Sequence, residues 1–136
     1  MEKLSLEVVT PAKVVVREEV DMVVAPGTEG EFGVLPGHVL FLSGIVPGEL
    51  RYTSGTDKAF LAVTTGFAEI SNNRVSILVD AAEEATDIDI ERAKSAMERA
   101  QERLAKERET EGIDFERAKA ALQRAIARIR VAEKAS

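Results

Sequence analysis

The chain contains no cysteine. A disulfide framework, a thiolate metal site and a cysteine nucleophile are excluded, and a reducing compartment is compatible. Aromatic residues make up only 4% of the sequence and the net charge is -6. That balance argues against nucleic acid as a partner, because a phosphate backbone rewards a continuous basic surface and exposed stacking rings. With one histidine, His38, neither a catalytic triad nor a histidine metal site has a second member. His38 reads as a loop residue bonded to nearby backbone; a pH sensor or metal ligand there would need partners that the sequence does not supply. No apolar run approaches the roughly 20 residues that span a bilayer, and nothing near Met1 resembles a signal peptide. The expectation is a soluble protein without direct membrane insertion, attached to a membrane only through partners. No Gly-rich loop ends in Lys-Ser/Thr and no Gly-x-Ser-x-Gly occurs, while Glu18 with Glu19 and Glu83 with Glu84 read as surface charge. The chain therefore reads as non-catalytic.

What is present is apolar residue in bulk, 45% of 136 residues, enough for one modest core plus an appendage. Charge is unevenly spread. Residues 1–86 carry 6 basic and 13 acidic side chains, whereas residues 87–136 carry 12 and 11. From Phe115 onward there are six basic side chains against two acidic, which suits a small polyanion or an acidic protein surface.

From Leu4 to Val79 hydrophobicity has period two, broken at short intervals by Gly, Pro, Asn and Asp. Leu4, Leu6 and Val8 share one face; Val14 with Val16, and Val20, Met22 and Val24, are expected to do the same. Pro26-Gly27 is read as a turn. Further strands are expected at Leu50 to Thr53, Lys58 to Thr64, Phe67 to Ser71 and Val75 to Val79, with hairpin turns at Thr53-Ser54-Gly55-Thr56 and Asn72-Asn73. Short antiparallel strands with one apolar face each must pair those faces, so a two-sheet sandwich over residues 1–85 follows. Gly30 to His38, with three glycines and a proline, is read as a shaped loop exposing part of Phe32, Val34 and Leu35.

After Val79 the composition shifts to Ala, Glu, Arg and Lys, placing a boundary within Ala81 to Thr86. A ten-residue stretch then occurs twice: Ile88 to Met97 and Ile113 to Leu122 match at seven of ten positions, offset by 25. Arg92, Arg99 and Arg103 answer to Arg117, Arg124 and Arg128. Spacings of 7 and 11 hold each set within about 20° of one line along a helix. Ala93, Met97, Ala100 and Leu104, and equally Ala118, Leu122, Ala125 and Ile129, form an apolar seam about 110° away. Two such helices folded back as an antiparallel hairpin over residues 86–136 put both arginine rows on one face. Thr86 or Asp89 is expected to cap the first helix and Asp114 the second, with the loop at Lys106 to Gly112. Like charges at i, i+4 repel by a few tenths of a kcal/mol each. Either nearby carboxylates such as Glu91, Glu98 and Glu102 neutralise that face in solvent, or it receives an anion.

The Gly-x-Leu-Pro-Gly-His loop at Gly33 to His38, followed by Ile-Asp-x-x-Arg-Ala at Ile88 to Ala93, resembles the epsilon subunit of the bacterial F-type ATP synthase. Val9-Thr10-Pro11, Gly66-Phe67 and the closing Val131-Ala132-Glu133 extend the resemblance over the whole chain. It implies a central-stalk subunit at the cytoplasmic face of the bacterial plasma (inner) membrane. Such a subunit couples proton flow to ATP synthesis, restrains ATP hydrolysis and has no turnover of its own. It further implies that the sandwich binds the gamma subunit and that Glu31 and the loop containing Gly33, Leu35, Pro36, Gly37 and His38 rest on the c-subunit ring. The hairpin either folds on the sandwich or extends towards a beta subunit, which Arg117, Arg124 and Arg128 would meet; the extended form inhibits. ATP is implied as a regulatory ligand, with no obligatory cofactor. Matching positions are Glu83, Ile88, Asp89, Arg92, Ala93, Arg99, Arg124 and Arg128. Two other classes fit the residues: a free-standing nucleotide-sensing module, or a structural adaptor whose arginines only pair with carboxylates.

Overall fold

The structure is a computed structural model in which residues 2–37, 40–106 and 113–134 are described, the side chains of Ile113 and Asp114 excepted. Ten strands come first: β1 (Leu4–Val9), β2 (Val14–Val20), β3 (Met22–Gly27), β4 (Gly30–Val34), β5 (Phe41–Ile45), β6 (Gly48–Ser54), β7 (Asp57–Val63), β8 (Gly66–Ser71), β9 (Arg74–Val79) and β10 (Ala82–Glu84). A 3-10 turn (Ala85–Asp87) leads into α1 (Ile90–Lys106) and α2 (Ile113–Glu133).

The strands follow one hydrogen-bonded path, β10-β7-β6-β3-β5-β8-β9-β1-β2, with β4 paired to β3 off it. The path curls until β2 meets β6 and β10. Inside lie Leu4, Leu6, Val8, Val20, Val23, Ile45, Leu50, Leu61, Val63, Val75 and Ile77, all essentially inaccessible. Burying each such side chain contributes about 1.5–3 kcal/mol, and the alternation of β1 and β9 supplies it from one face of each strand. The β-sandwich is thus the expected one. Asn72 and Asn73, both at positive φ, make the tight β8–β9 turn. Tyr52 is buried and donates its hydroxyl to Glu18 Oε2 at 2.7 Å; burial, then the neighbouring carboxylate, push the phenol's pKa well above its ordinary value.

Several local readings need correction. Val8 pairs with Val16 and Val9 with Val14, so Val15 is an extra residue in a bulge; it packs against the core while Val14 turns outward. A bend at Asp21 shifts the phase again, so Val23 and Ala25 join the main core cluster, while Met22 is half-buried and Val24 is buried outside that cluster. Pro26-Gly27 is not a turn: both lie in β3, the hairpin closes at Gly27 opposite Gly30, and the carbonyl of Pro26 accepts from Val46 N at 3.0 Å. Most of the expected loop after Gly30 is strand β4, leaving Leu35 to Gly37 outside it; His38 lies outside the described residues. β5 and β10 were not expected. β1 and β9 pair in parallel, a direction that period-two patterning cannot specify.

The helices pack on each other through the expected seam: Ala93, Ala100, Ala118 and Ala125 are buried, and Met97, Leu104, Leu122 and Ile129 are half-buried. α2 also lies against β6, β7 and the 3-10 turn. The hairpin is therefore folded onto the sandwich. Val131 seals that junction, fully buried among Ala62, Ala85, Phe60 and Ile88. The expected helix loop after Lys106 lies outside the described residues.

Gly66 is the tightest point of the sandwich. A Cβ there would lie 2.0 Å from the carbonyl oxygen of Leu78 and 2.7 Å from Val79 Cα, both backbone atoms that cannot move without breaking the β8–β9 ladder. Gly66→Ala is expected to cost about 3 kcal/mol or more, read as a lower urea midpoint. A loss under about 0.5 kcal/mol would show that this ladder yields.

Candidate functional site

β10 runs antiparallel to β7 with Glu83 opposite Ala62, so both face α2 rather than the core. The docked hairpin closes over them a cavity of about 470 Å³. Its walls come from all three layers: Ala62 to Thr64 and Ala81 to Glu83 from the sandwich, Ala96, Arg99, Ala100 and Arg103 from α1, Ala121, Arg124, Ala125 and Arg128 from α2. Four arginines thus converge on one space, with alanines between them that leave it open.

Glu83 is the one carboxylate in that wall. It takes Arg128, with Nη2 donating to Oε2 at 3.2 Å and Nε approaching Oε1 at 2.6 Å. The Nε contact is an ion contact without hydrogen-bond alignment. Among the described residues, Arg128 Nε is the one buried side-chain polar atom left without a hydrogen bond. Among the described residues Arg99, Arg103 and Arg124 have no ion pair, so Glu91, Glu98 and Glu102 form no salt bridge that neutralises the face. An unpaired cationic wall in a half-enclosed cavity attracts polyanions through charge-assisted hydrogen bonds.

The other positions matching the motif behave differently. Asp89 caps α1: its Oδ1 accepts from Arg92 N at 3.1 Å and its carbonyl from Ala93 N at 3.0 Å. Ile88 fills the junction around Val131, and Ala93 is wholly buried in the helix seam. Arg92 and Arg117 are exposed and outside the cavity wall. Arg103 was missing from the expected set, although its place on the row of Arg99 was the signal for it. The cap expected at Asp114 lies outside the described side chains.

The second expected group is divided. Glu31 forms a fork with Arg51, at 3.1 and 3.3 Å, and this carboxylate holds the guanidinium pKa above its usual value. Gly33 and Leu35 instead line a separate apolar hollow of about 380 Å³ with Leu4, Phe32, Phe41 and Ile70, and Gly37 N donates to Asn73 Oδ1 at 2.8 Å. Leu35 and Leu40 stand 66% and 72% exposed beside it. On the outside of the sandwich the registers align Gly44, Phe67, Leu78, Val9 and Val14 in one row across β5, β8, β9, β1 and β2. Phe67, Leu78 and Val14 are exposed along it, with Leu42 nearby on β5. An apolar stripe of that length marks an interaction surface. Among the described residues no group of carboxylates or histidines could hold a metal, and no helix is long and apolar enough to cross a membrane.

A β-sandwich joined to a helical hairpin that folds back on it defines a class of two-part module. The family described as ATP synthase, Delta/Epsilon chain, matches with its beta-sandwich domain over residues 3–85 and its long alpha-helix domain over residues 86–133. An ATP synthase epsilon chain of Syntrophobacter fumaroxidans is 56% identical over 133 residues, covering 98% of each chain. One from Nitratidesulfovibrio vulgaris is 53% identical over 110 residues, 80% of this chain and 82% of that one. A chain in the Euglena gracilis mitochondrial ATP synthase (OSCP/F1/c-ring) aligns with TM-score 0.78 at 25% identity, over 92% of this chain and 78% of that one. One in the central stalk and c-ring of the Tetrahymena thermophila enzyme aligns with TM-score 0.61 at 15% identity, over 98% and 96%, and supports the fold. The chain belongs to the ATP synthase delta/epsilon family.

The cap geometry gives Asp89 a role that needs no ligand. Asp89→Ala is expected to cost about 1 kcal/mol, seen as roughly five-fold faster hydrogen exchange in the first turn of α1 without nucleotide. A change confined to ATP-containing samples would make Asp89 a ligand contact instead.

Proposed function

We propose that the chain works as the epsilon subunit of the rotary ATP synthase, non-catalytic itself, with a hairpin that ATP holds in the folded form. One observation carries the nucleotide reading: the arginine cavity has walls from both the sandwich and the two helices, so it exists only while the hairpin is docked. A ligand filling it binds the folded arrangement alone and stabilises it by RT ln(1 + [L]/Kd), about 2.7 kcal/mol at a hundredfold excess. That is enough to shift a marginal two-state element. The triphosphate would lie among Arg99, Arg103, Arg124 and Arg128. The base and ribose would extend towards Asp89 and Arg92, which stands roughly 10 Å from Arg99 by helical rise.

In this reading the apolar row at Phe67, Leu78 and Val14, with Leu42 beside it, docks on the gamma subunit. The hollow at Gly33 and Leu35, with Pro36 and Gly37 beyond it, meets the c ring. Once ATP leaves, the hairpin opens and offers Arg117, Arg124 and Arg128 to an acidic surface of a beta subunit, restraining hydrolysis. Attachment to the cytoplasmic face of the bacterial inner membrane, and a part in coupling proton flow to synthesis, follow from those partners. Among the described residues Arg99, Arg103 and Arg124 form no ion pair, which favours this over the structural adaptor.

Calorimetric titration with ATP tests the site. Wild type should bind, Arg99→Ala and Arg124→Ala should each lose about tenfold or more in affinity, and Arg117→Ala should bind like wild type. No heat at millimolar ATP, or equal binding in all four proteins, would sink the nucleotide reading.

In the assembled enzyme, reversing charge at Arg117, Arg124 and Arg128 should raise ATP hydrolysis, as should removing residues 87–136. Unchanged hydrolysis in both would leave the hairpin without an inhibitory role.

A further inference from the structure

A second set of charges ties the far end of α2 to the sandwich, away from the arginine cavity. Lys134, just beyond α2, pairs with Glu49 of β6, and its Nζ also sits 5.0 Å from the centre of the Phe60 ring. Glu49, only 17% exposed at its side chain, is shared with Arg51, whose Nη1 lies 3.3 Å from its Oε2. Arg51 in turn divides itself between Glu49 and Glu31 of β4. Four charges of alternating sign therefore run Lys134, Glu49, Arg51, Glu31, from helix end to the β3–β4 hairpin. Pro26, Glu31, Glu49 and Lys134 line one cleft of about 840 Å³ with Arg130 of α2 across it.

In such a chain each inner member has two suitors. When Glu31 is drawn away or neutralised, Arg51 turns wholly to Glu49, and Lys134 loses part of its partner. When Lys134 departs with an opening hairpin, Glu49 holds Arg51 more strongly and Glu31 is freed. We propose that these four residues form an electrostatic relay by which capture of Glu31 by an external cation and release of the α2 end favour each other. Thermodynamic linkage makes the effect reciprocal. Because the pairs are part-exposed, each step is small, on the order of threefold.

The test is hydrogen exchange of the α2 backbone amides in the full chain without nucleotide, so it stands or falls independently of the ATP site. Lys134→Met should lower α2 protection about threefold. Arg51→Met should raise it, because Glu49 is left to Lys134 alone. Glu31→Gln should lower protection in the wild-type background and do nothing once Arg51 is Met. Shifts of the same sign for Lys134→Met and Arg51→Met overturn the relay, as does a Glu31→Gln effect that survives removal of Arg51. No shift in any variant does so too. Arg51 and Glu31 lie on the sandwich outside its buried core and Lys134 just beyond α2, so the substitutions leave the fold intact to report.

Discussion

The arginine cavity and the Lys134-Glu49 contact both depend on how closely α2 approaches β6 and β7. The buried contact is made of small residues: Ala62 and Ala85 on one side and Val131 on the other, with Phe60 and Ile88 at the margin. Small side chains let a helix lie close to a sheet but remove little apolar area from water, at about 25 cal/mol per Å². The junction is consequently tight in geometry and modest in energy. That combination defines a cavity wall sharply while leaving the hairpin within reach of forces worth a few kcal/mol.

Electrostatics then decides the balance. Within the docked hairpin the arginines of α1 and α2 repel along each helix and across the cavity, and Glu83 answers only one of them. At the opposite end, Lys134 with Glu49 pulls the helix in. The folded form thus has an attraction that salt screens at one end and a cluster of like charges at the other. Arg99, Arg103 and Arg124 are exposed at the cavity mouth, and Arg128, half-buried, is the one that Glu83 engages, so solvent screens most of this repulsion.

The parts of this arrangement that could be read from sequence are those set by local period. The seam from Ala93 to Leu104 and its copy at Ala118 to Ile129 followed from 3.6-residue spacing, and the shared arginine face followed from pairing two copies. Val14, Met22 and Val24 do not share the expected face because a bulged residue or a bend changes which side chains point inward, and neither has a compositional mark. β10 escaped because three residues of mixed character carry no period at all, yet its pairing with β7 is what aims Glu83 into the cavity. The relay joins Glu31, Glu49 and Arg51 to Lys134 across more than eighty residues of chain. No pattern within a segment can announce such a contact.

Arg124 and Arg128 sit where two demands meet. In the docked form they line the cavity, and Arg128 is engaged by Glu83; in an opened hairpin they would be free to face an acidic partner. One set of guanidinium groups cannot satisfy both at once, so anything that occupies the cavity competes with anything that binds the opened helix, without any direct contact between the two ligands. The coupling needs only that each prefers a different arrangement of the same helix. Glu83 sharpens it. As a carboxylate of the sandwich it holds Arg128 in the docked form, so under the proposed reading an incoming polyanion would have to exchange with that carboxylate as well as fill the space beside it.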